Sequence, residues 1–177
     1  MRQRAKEVKL PLSTNDLETC QLMMEYIVNS QDPEKITAFG LRPAVGLSAP
    51  QINISQKMFC INSYDETGKI LFSKAFVNPK IVAFSEEKTY LPGGEGCLSV
   101  DESKNGLVPR SMRIKAKAFQ VDLETGMAEP VFLKLSGYLG IVFQHEYDHL
   151  QGILFVDKVQ PTLPGIRPIH FTDDSEN

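Results

Sequence analysis

The segment from Tyr138 through His145-Glu146-Tyr147-Asp148-His149 to Leu150 constrains this chain more than any other. Tyr138, Leu139, Ile141, Val142 and Leu150 recur at the three- and four-residue spacing of a helix packed on one side, and Gly152 stands where such a helix would stop. Within it His145 and His149 are four residues apart, so a helix stacks both imidazoles on one face, with Glu146 beside the first. Imidazoles at that spacing are suited to a single metal ion, with the carboxylate in reach of a water on it. The sequence has three histidines and places two of them here. The plain alternative, two surface histidines and a solvated acid, leaves that concentration unexplained.

The rest of the chain predicts what this helix packs against. Ser13 with Asp16 three positions on is a helix start, and the following apolar spacing predicts a helix over 14–29. Asp32-Pro33 restarts the chain into a short helix that ends near Phe39-Gly40. Between 57 and 120 the pattern changes to short β-type runs, 58–61, 75–77, 80–84 and 114–121, separated by turn-formers such as 65–68 and Asn78-Pro79. Asp122-Leu123-Glu124-Thr125-Gly126 reads as a hairpin turn into a strand over 130–135. The order helix, sheet, helix predicts an α+β fold, mostly antiparallel sheets packed around a C-terminal metal-binding helix, with an N-terminal helix. At 177 residues the expectation is one catalytic domain over 1–160 and a loosely held C-terminal tail over 161–177.

Charge narrows the function classes. Nineteen Lys and Arg against 22 Asp and Glu leave a net −3, which gives no reason to expect direct nucleic-acid or anionic-membrane binding. No apolar run has the length of a signal peptide core or a membrane span, so the expected location is cytoplasmic.

Three cysteines, odd in number and far apart, do not make a disulfide scaffold. Cys20 falls in a helical pattern and Cys60 in an apolar run, and both are expected to be buried small hydrophobes. Cys97 differs: it follows Gly93-Gly94-Glu95-Gly96, where glycines let backbone approach a ligand closely. A catalytic metal needs a third protein ligand, and Cys97 is a better candidate than His170, which lies in the tail after two prolines. A third cluster, Val45-Gly46-Leu47-Ser48-Ala49-Pro50-Gln51, holds small residues and ends on an amide suited to donate to an oxyanion.

Together and in this order, the segments 44–51, 95–99 and 144–150 resemble the signatures of the peptide deformylases, and the similarity extends over about 10–159, including Val108-Pro109-Arg110. Tyr90-Leu91-Pro92 and the long segment ahead of the first motif are more similar to the Gram-positive-like (type 2) branch. The first motif departs from the family by Ala44 for Gly and Ser48 for Ala; Ala44 is expected to narrow the mouth of the site. The chain also starts later than the family's usual N-terminal segment, which bears on stability more than on chemistry.

The resemblance implies removal of the formyl group from the formyl-methionine end of nascent proteins, with release of formate. It implies one divalent ion on Cys97, His145 and His149, ferrous iron before zinc, nickel or cobalt, with Glu146 as the proton carrier and Gln51 and the Leu98 N–H as donors to the formyl oxygen. Substrate contacts fall on Val45, Gly46, Gly94, Tyr138, Ile141 and Val142, with the strand around 94–96 pairing to an extended peptide. Glu95, Asp148, Arg110 and Gln144 are expected to support the ligands. The expected partner is a formyl-methionyl peptide or nascent chain, with transient ribosome contact. Two alternatives share the helix: a zincin-like protease or amidase, which would cleave unformylated peptides, and a non-catalytic metal-stabilised domain, in which Glu146 would be dispensable.

Overall fold

The computed structural model describes residues 2–65, 67–100 and 106–170. Helix α1 spans Thr14–Asn29 and α2 spans Pro33–Phe39. Strands β1 (Gly46–Ser48), β2 (Met58–Tyr64) and β3 (Ile70–Phe84) follow, then the two-residue strands β4 (Lys88–Thr89) and β5 (Arg110–Ser111). Strands β6 (Arg113–Val121) and β7 (Ala128–Ser136) lead into helix α3, Gly137–Leu150. The main sheet has the order β1-β2-β3-β6-β7, antiparallel throughout, and β4 pairs with β5 in a second small sheet. The fold is α+β, as the order of patterns predicts.

The sheet separates two cores. Along β2 the side chains alternate: Met58 and Cys60 pack with Cys20, Met23, Met24 and Ile27 of α1, whereas Phe59 and Ile61 pack with Val142, Phe143 and Leu150 of α3. Buried on both faces, β2 reads as a continuous apolar run rather than an alternating one. Phe59, Phe76 and Phe143 meet edge to face, with centroids 5.0–5.8 Å apart. Cys20 and Cys60 are fully buried, as expected of them.

At the start of α1 the Ser13 hydroxyl accepts from the Asp16 N–H at 3.1 Å, and the Asp16 carboxylate accepts in return from the Ser13 backbone and hydroxyl. At the end of α3, Gly152 has φ +76°, and a Cβ there would lie 2.8 Å from the backbone of Arg2. Glycine is required there, because the N-terminal segment crosses at that point and pairs Ala5 N–H with Leu150 O at 2.9 Å.

Three expectations need correction. Asn78-Pro79 is not a break between strands: both residues lie inside β3, at a register shift between Val77 and Lys80. Asn78 adopts φ 51° and ties both backbone groups of Val8, and the bulge admits a residue without an N–H. Residues 94–96 form no strand but irregular backbone ahead of a turn. The first part of the expected loose tail is also held: Leu163 and Ile169 are buried, and Ile169 N–H donates to Tyr90 O at 3.0 Å. Residues 171–177 lie outside the described ones.

Candidate metal centre and active site

Helix α3 runs on from β7 without a loop, and Gln144 fixes its height on the small sheet. The Gln144 amide accepts from Ser111 N–H at 3.0 Å and donates to Ser111 O and Gly140 O, each at 2.9 Å. Gln144 therefore supports the helix backbone and hydrogen-bonds no metal-site side chain. With the helix so placed, Glu146 and His149 are 3% and 1% exposed, and the imidazoles of His145 and His149 face one another with Nε2 atoms 3.2 Å apart.

Arg110, next to Ser111 on β5, is buried and has carboxylates on two sides. It donates to Glu95 from Nε at 2.7 Å and from Nη2 at 2.8 Å, and to Asp148 from Nη1. Glu95 also meets His145 Nδ1 at 2.8 Å. Burial alone would raise the Glu95 carboxyl, but the hydrogen bonds from Arg110 and His145 outweigh it and lower it to about 2. Burial likewise opposes a charge on His145, and its bonds to Cys97 and Glu95 raise it to about 10. His149, buried and facing a charged His145, falls to about 3. Asp148 reaches Arg110 and Lys158 rather than His149.

Cys97 opens a turn in which Val100 N–H donates to Cys97 O at 3.2 Å. Its sulfur lies 3.3 Å from His149 Nε2 and accepts from Ser99 N–H at 3.4 Å and Gln51 Nε2 at 3.5 Å. The Gln51 amide is oriented by Ser48, whose N–H and hydroxyl both donate to Oε1 at 2.8 Å. Glu146 sits against β1: a Cβ on Gly46 would lie 2.4 Å from its Oε1, so only glycine admits the carboxylate there. Burial, partly offset by His145, raises Glu146 to about 7, and its Oε2 has no partner among the described residues.

Cys97 Sγ, His145 Nε2 and His149 Nε2 lie within 4.8 Å of one another. These atoms turn toward one point, with His149 Nε2 3.2 Å from His145 Nε2 and 3.3 Å from Cys97 Sγ, spacings that a shared proton or a cation among them bridges. One thiolate and two imidazoles fit a small divalent cation with an open position. The residues present therefore fit a metal ion.

The cleft beside this group has a volume of about 430 Å³. Of the residues expected from the sequence, Val45, Gly46, Gln51, Glu95, Cys97, Leu98, Tyr138, Ile141, Val142, His145 and Glu146 line it. Arg110, Gln144, Asp148 and His149 are buried and do not line it, and Gly94, an expected substrate contact, does not line it either. Gln31, Arg42 and Leu91 also line the cleft and were not anticipated. Arg42 sits just ahead of the first motif, but nothing in local spacing says that its side chain meets residues 97–100. Ala44 is at the cleft wall, where the resemblance puts it.

The polypeptide deformylase family model matches residues 1–164. Peptide deformylase 2 of Bacillus cereus is 47% identical over 176 residues, 99% of this chain and 90% of that protein. A peptide deformylase of Shouchella clausii is 49% identical over 160 residues, covering 90% and 84%. The crystal structure of peptide deformylase from Thermotoga maritima superposes with a TM-score of 0.67 at 34% identity, covering 90% of each chain. No helix among the described residues is long and apolar enough to cross a membrane.

Proposed function

This chain belongs to the polypeptide deformylase family, a metal-dependent hydrolase that removes the N-terminal formyl group from nascent proteins, and we propose that Cys97, His145 and His149 hold its metal ion and Glu146 moves its protons. The observation that carries this reading is the convergence of the three ligand atoms next to a buried carboxylate. A divalent cation in that position supplies Lewis acidity, lowering the pKa of a water and polarising a carbonyl. Ferrous iron is the proposed ion: the mixed sulfur and nitrogen set admits it, and the similarity to the family favours it over zinc, nickel or cobalt.

Glu146, whose burial raises its carboxyl above the ordinary range, is suited to accept and return a proton. It takes a proton at a carboxylate oxygen when water attacks the formyl carbon and returns one to the departing amine. Gln51 Nε2 and the Leu98 N–H donate to the formyl oxygen as its charge grows, and the two bonds from Ser48 leave the Gln51 amide one orientation. Val45, Tyr138, Ile141 and Val142 form an apolar wall for the methionine side chain. The irregular backbone of Glu95 and Gly96 pairs with an extended substrate; the Gly94 N–H is already bonded to Leu91 O. Glu95, Arg110 and Asp148 hold His145 and, with Gln144, the helix. The proposed setting is the cytoplasm, on chains as they leave the ribosome, within one catalytic domain.

The test is formate release from a formyl-methionyl peptide by anaerobically prepared, iron-loaded protein, beside Glu146→Ala. The variant should lose activity by orders of magnitude with metal still bound. Cleavage of unformylated peptides, or full activity without Glu146, would sink the assignment of roles.

A further inference from the structure

Around Cys97 three carbonyls point the same way. Arg42 Nη1 donates to Leu98 O at 3.1 Å, and Nη2 donates to Cys97 O and Val100 O, each at 3.2 Å. Carbonyl dipoles gathered on one side of a four-residue turn repel one another, and a planar guanidinium meets them from two nitrogens held in a fixed plane, where an ammonium offers a single nitrogen. We propose that Arg42 is a positioning residue for the reaction, holding the peptide plane between Cys97 and Leu98 so that the Leu98 N–H is presented to the cleft.

The reason is covalent. A trans peptide keeps its C=O and N–H pointing in opposite directions within one plane, so a cation that fixes Cys97 O, which also accepts from Val100 N–H, fixes the direction of the Leu98 N–H. Positive charge on the oxygen also polarises the amide, which strengthens the N–H as a donor. Arg42 is itself anchored from the C-terminal end of α1. Tyr26 Oη donates to Arg42 O at 3.2 Å, Ala44 N–H donates to Ser30 Oγ at 3.1 Å, and Gln31 Nε2 donates to Ala44 O at 2.7 Å. The end of α1, segment 42–44 and turn 97–100 thus form one connected support. Because Arg42 is exposed at the cleft, the site of a missing guanidinium is open to a small cation from solution. This inference rests on the reading of the Leu98 N–H as a donor to the formyl oxygen.

The test compares wild type, Arg42→Lys, Arg42→Ala and Glu146→Ala on a formyl-methionyl dipeptide and tripeptide. Bound metal, thermal midpoint and the Leu98 amide resonance of zinc-loaded protein are followed alongside. Arg42→Ala should lower kcat by about 10- to 100-fold at unchanged KM, since it weakens one donor to the developing charge without removing it. Arg42→Lys should fall between, millimolar methylguanidinium should restore part of the loss in Arg42→Ala, and the Leu98 amide should shift with metal content unchanged. A rise in KM that grows with peptide length would make Arg42 a substrate contact and overturn the proposal. Activity regained by added metal, or a loss that only tracks the thermal midpoint, would overturn it in favour of a structural role. Unchanged Arg42→Ala kinetics beside an inactive Glu146→Ala would overturn it while leaving the deformylase mechanism intact; an inactive wild type would overturn both.

Discussion

Gly46 and Glu146 compete for the same few ångströms, and their contact is the tightest test of the site at the residue scale. A methyl group at 46 would lie 2.4 Å from Glu146 Oε1, and the buried carboxylate must turn away to admit it. Gly46→Ala should therefore keep metal binding and lower kcat by about 100-fold, the loss expected of a misplacement near 1 Å; normal turnover would show that the carboxylate has another working position. Glu95 is the second test. It accepts from Arg110 at two points and meets His145 Nδ1, so Glu95→Gln removes the charge that balances both. Metal affinity should fall about 10- to 100-fold, read by competition with a chelator, together with thermal stability. Affinity equal to wild type would mean that His145 holds its orientation without Glu95. The ligands themselves were legible in the sequence, because helical spacing forces His145 and His149 together and glycines flank Cys97. Arg42 and Ser48 were not: their work is done through backbone carbonyls and an amide oxygen, which leave no pattern of residue types.

At the scale of elements, α1 supports segment 42–44, and its first turn is where its stability is most exposed. Ser13→Ala removes a hydroxyl that bonds both the Asp16 N–H and the Asp16 carboxylate, and should cost about 1 kcal/mol in denaturant unfolding at neutral pH. Burial alone would raise the Asp16 carboxyl, but bonds from Ser13 and Gln56 outweigh it and hold it below the ordinary 3.8. A depressed folded-state value stabilises the protein above that ordinary value, and the contribution disappears as pH falls through the folded one. The difference between wild type and Ser13→Ala should accordingly narrow below about pH 3.8; a gap constant down to the acid transition would remove Asp16 from the account. Both main helices were readable because caps and periodicity agree. Strand β3 was not read whole, because Asn78-Pro79 carries the local signal of a turn and only the pairing with β6 and the tie to Val8 turn it into a bulge. The two-residue strands β4 and β5 have too few residues to show any period, yet β5 carries Arg110.

Across the whole molecule, the sheet presents to α3 the face that backs the site, while α1 covers only part of the other. Beyond Phe119 and Val121, which pack toward α1, β6 turns Lys117 and Lys115 outward on that second face. The register sets Lys117 opposite Lys80 of β3 and Lys115 opposite Lys134 of β7. Like charges directly opposite in antiparallel strands repel, and no ion pair relieves these four lysines among the described residues. The net charge of −3 conceals this local excess, and sequence alone hid it because register joins residues far apart in the chain. Lys134→Glu turns one repulsion into an attraction and keeps a charge on the edge strand, where it discourages pairing with another chain. It should raise the unfolding free energy by about 0.2–1 kcal/mol at low salt, read as a higher urea midpoint with an unchanged slope. The gain should shrink toward zero near 1 M salt, where screening shortens to about 3 Å. Formate release should be unaffected, because none of the four lysines lines the cleft. A gain that survives high salt would place its origin in packing rather than charge, and a loss of stability would mean that Lys134 makes contacts its exposed position does not suggest.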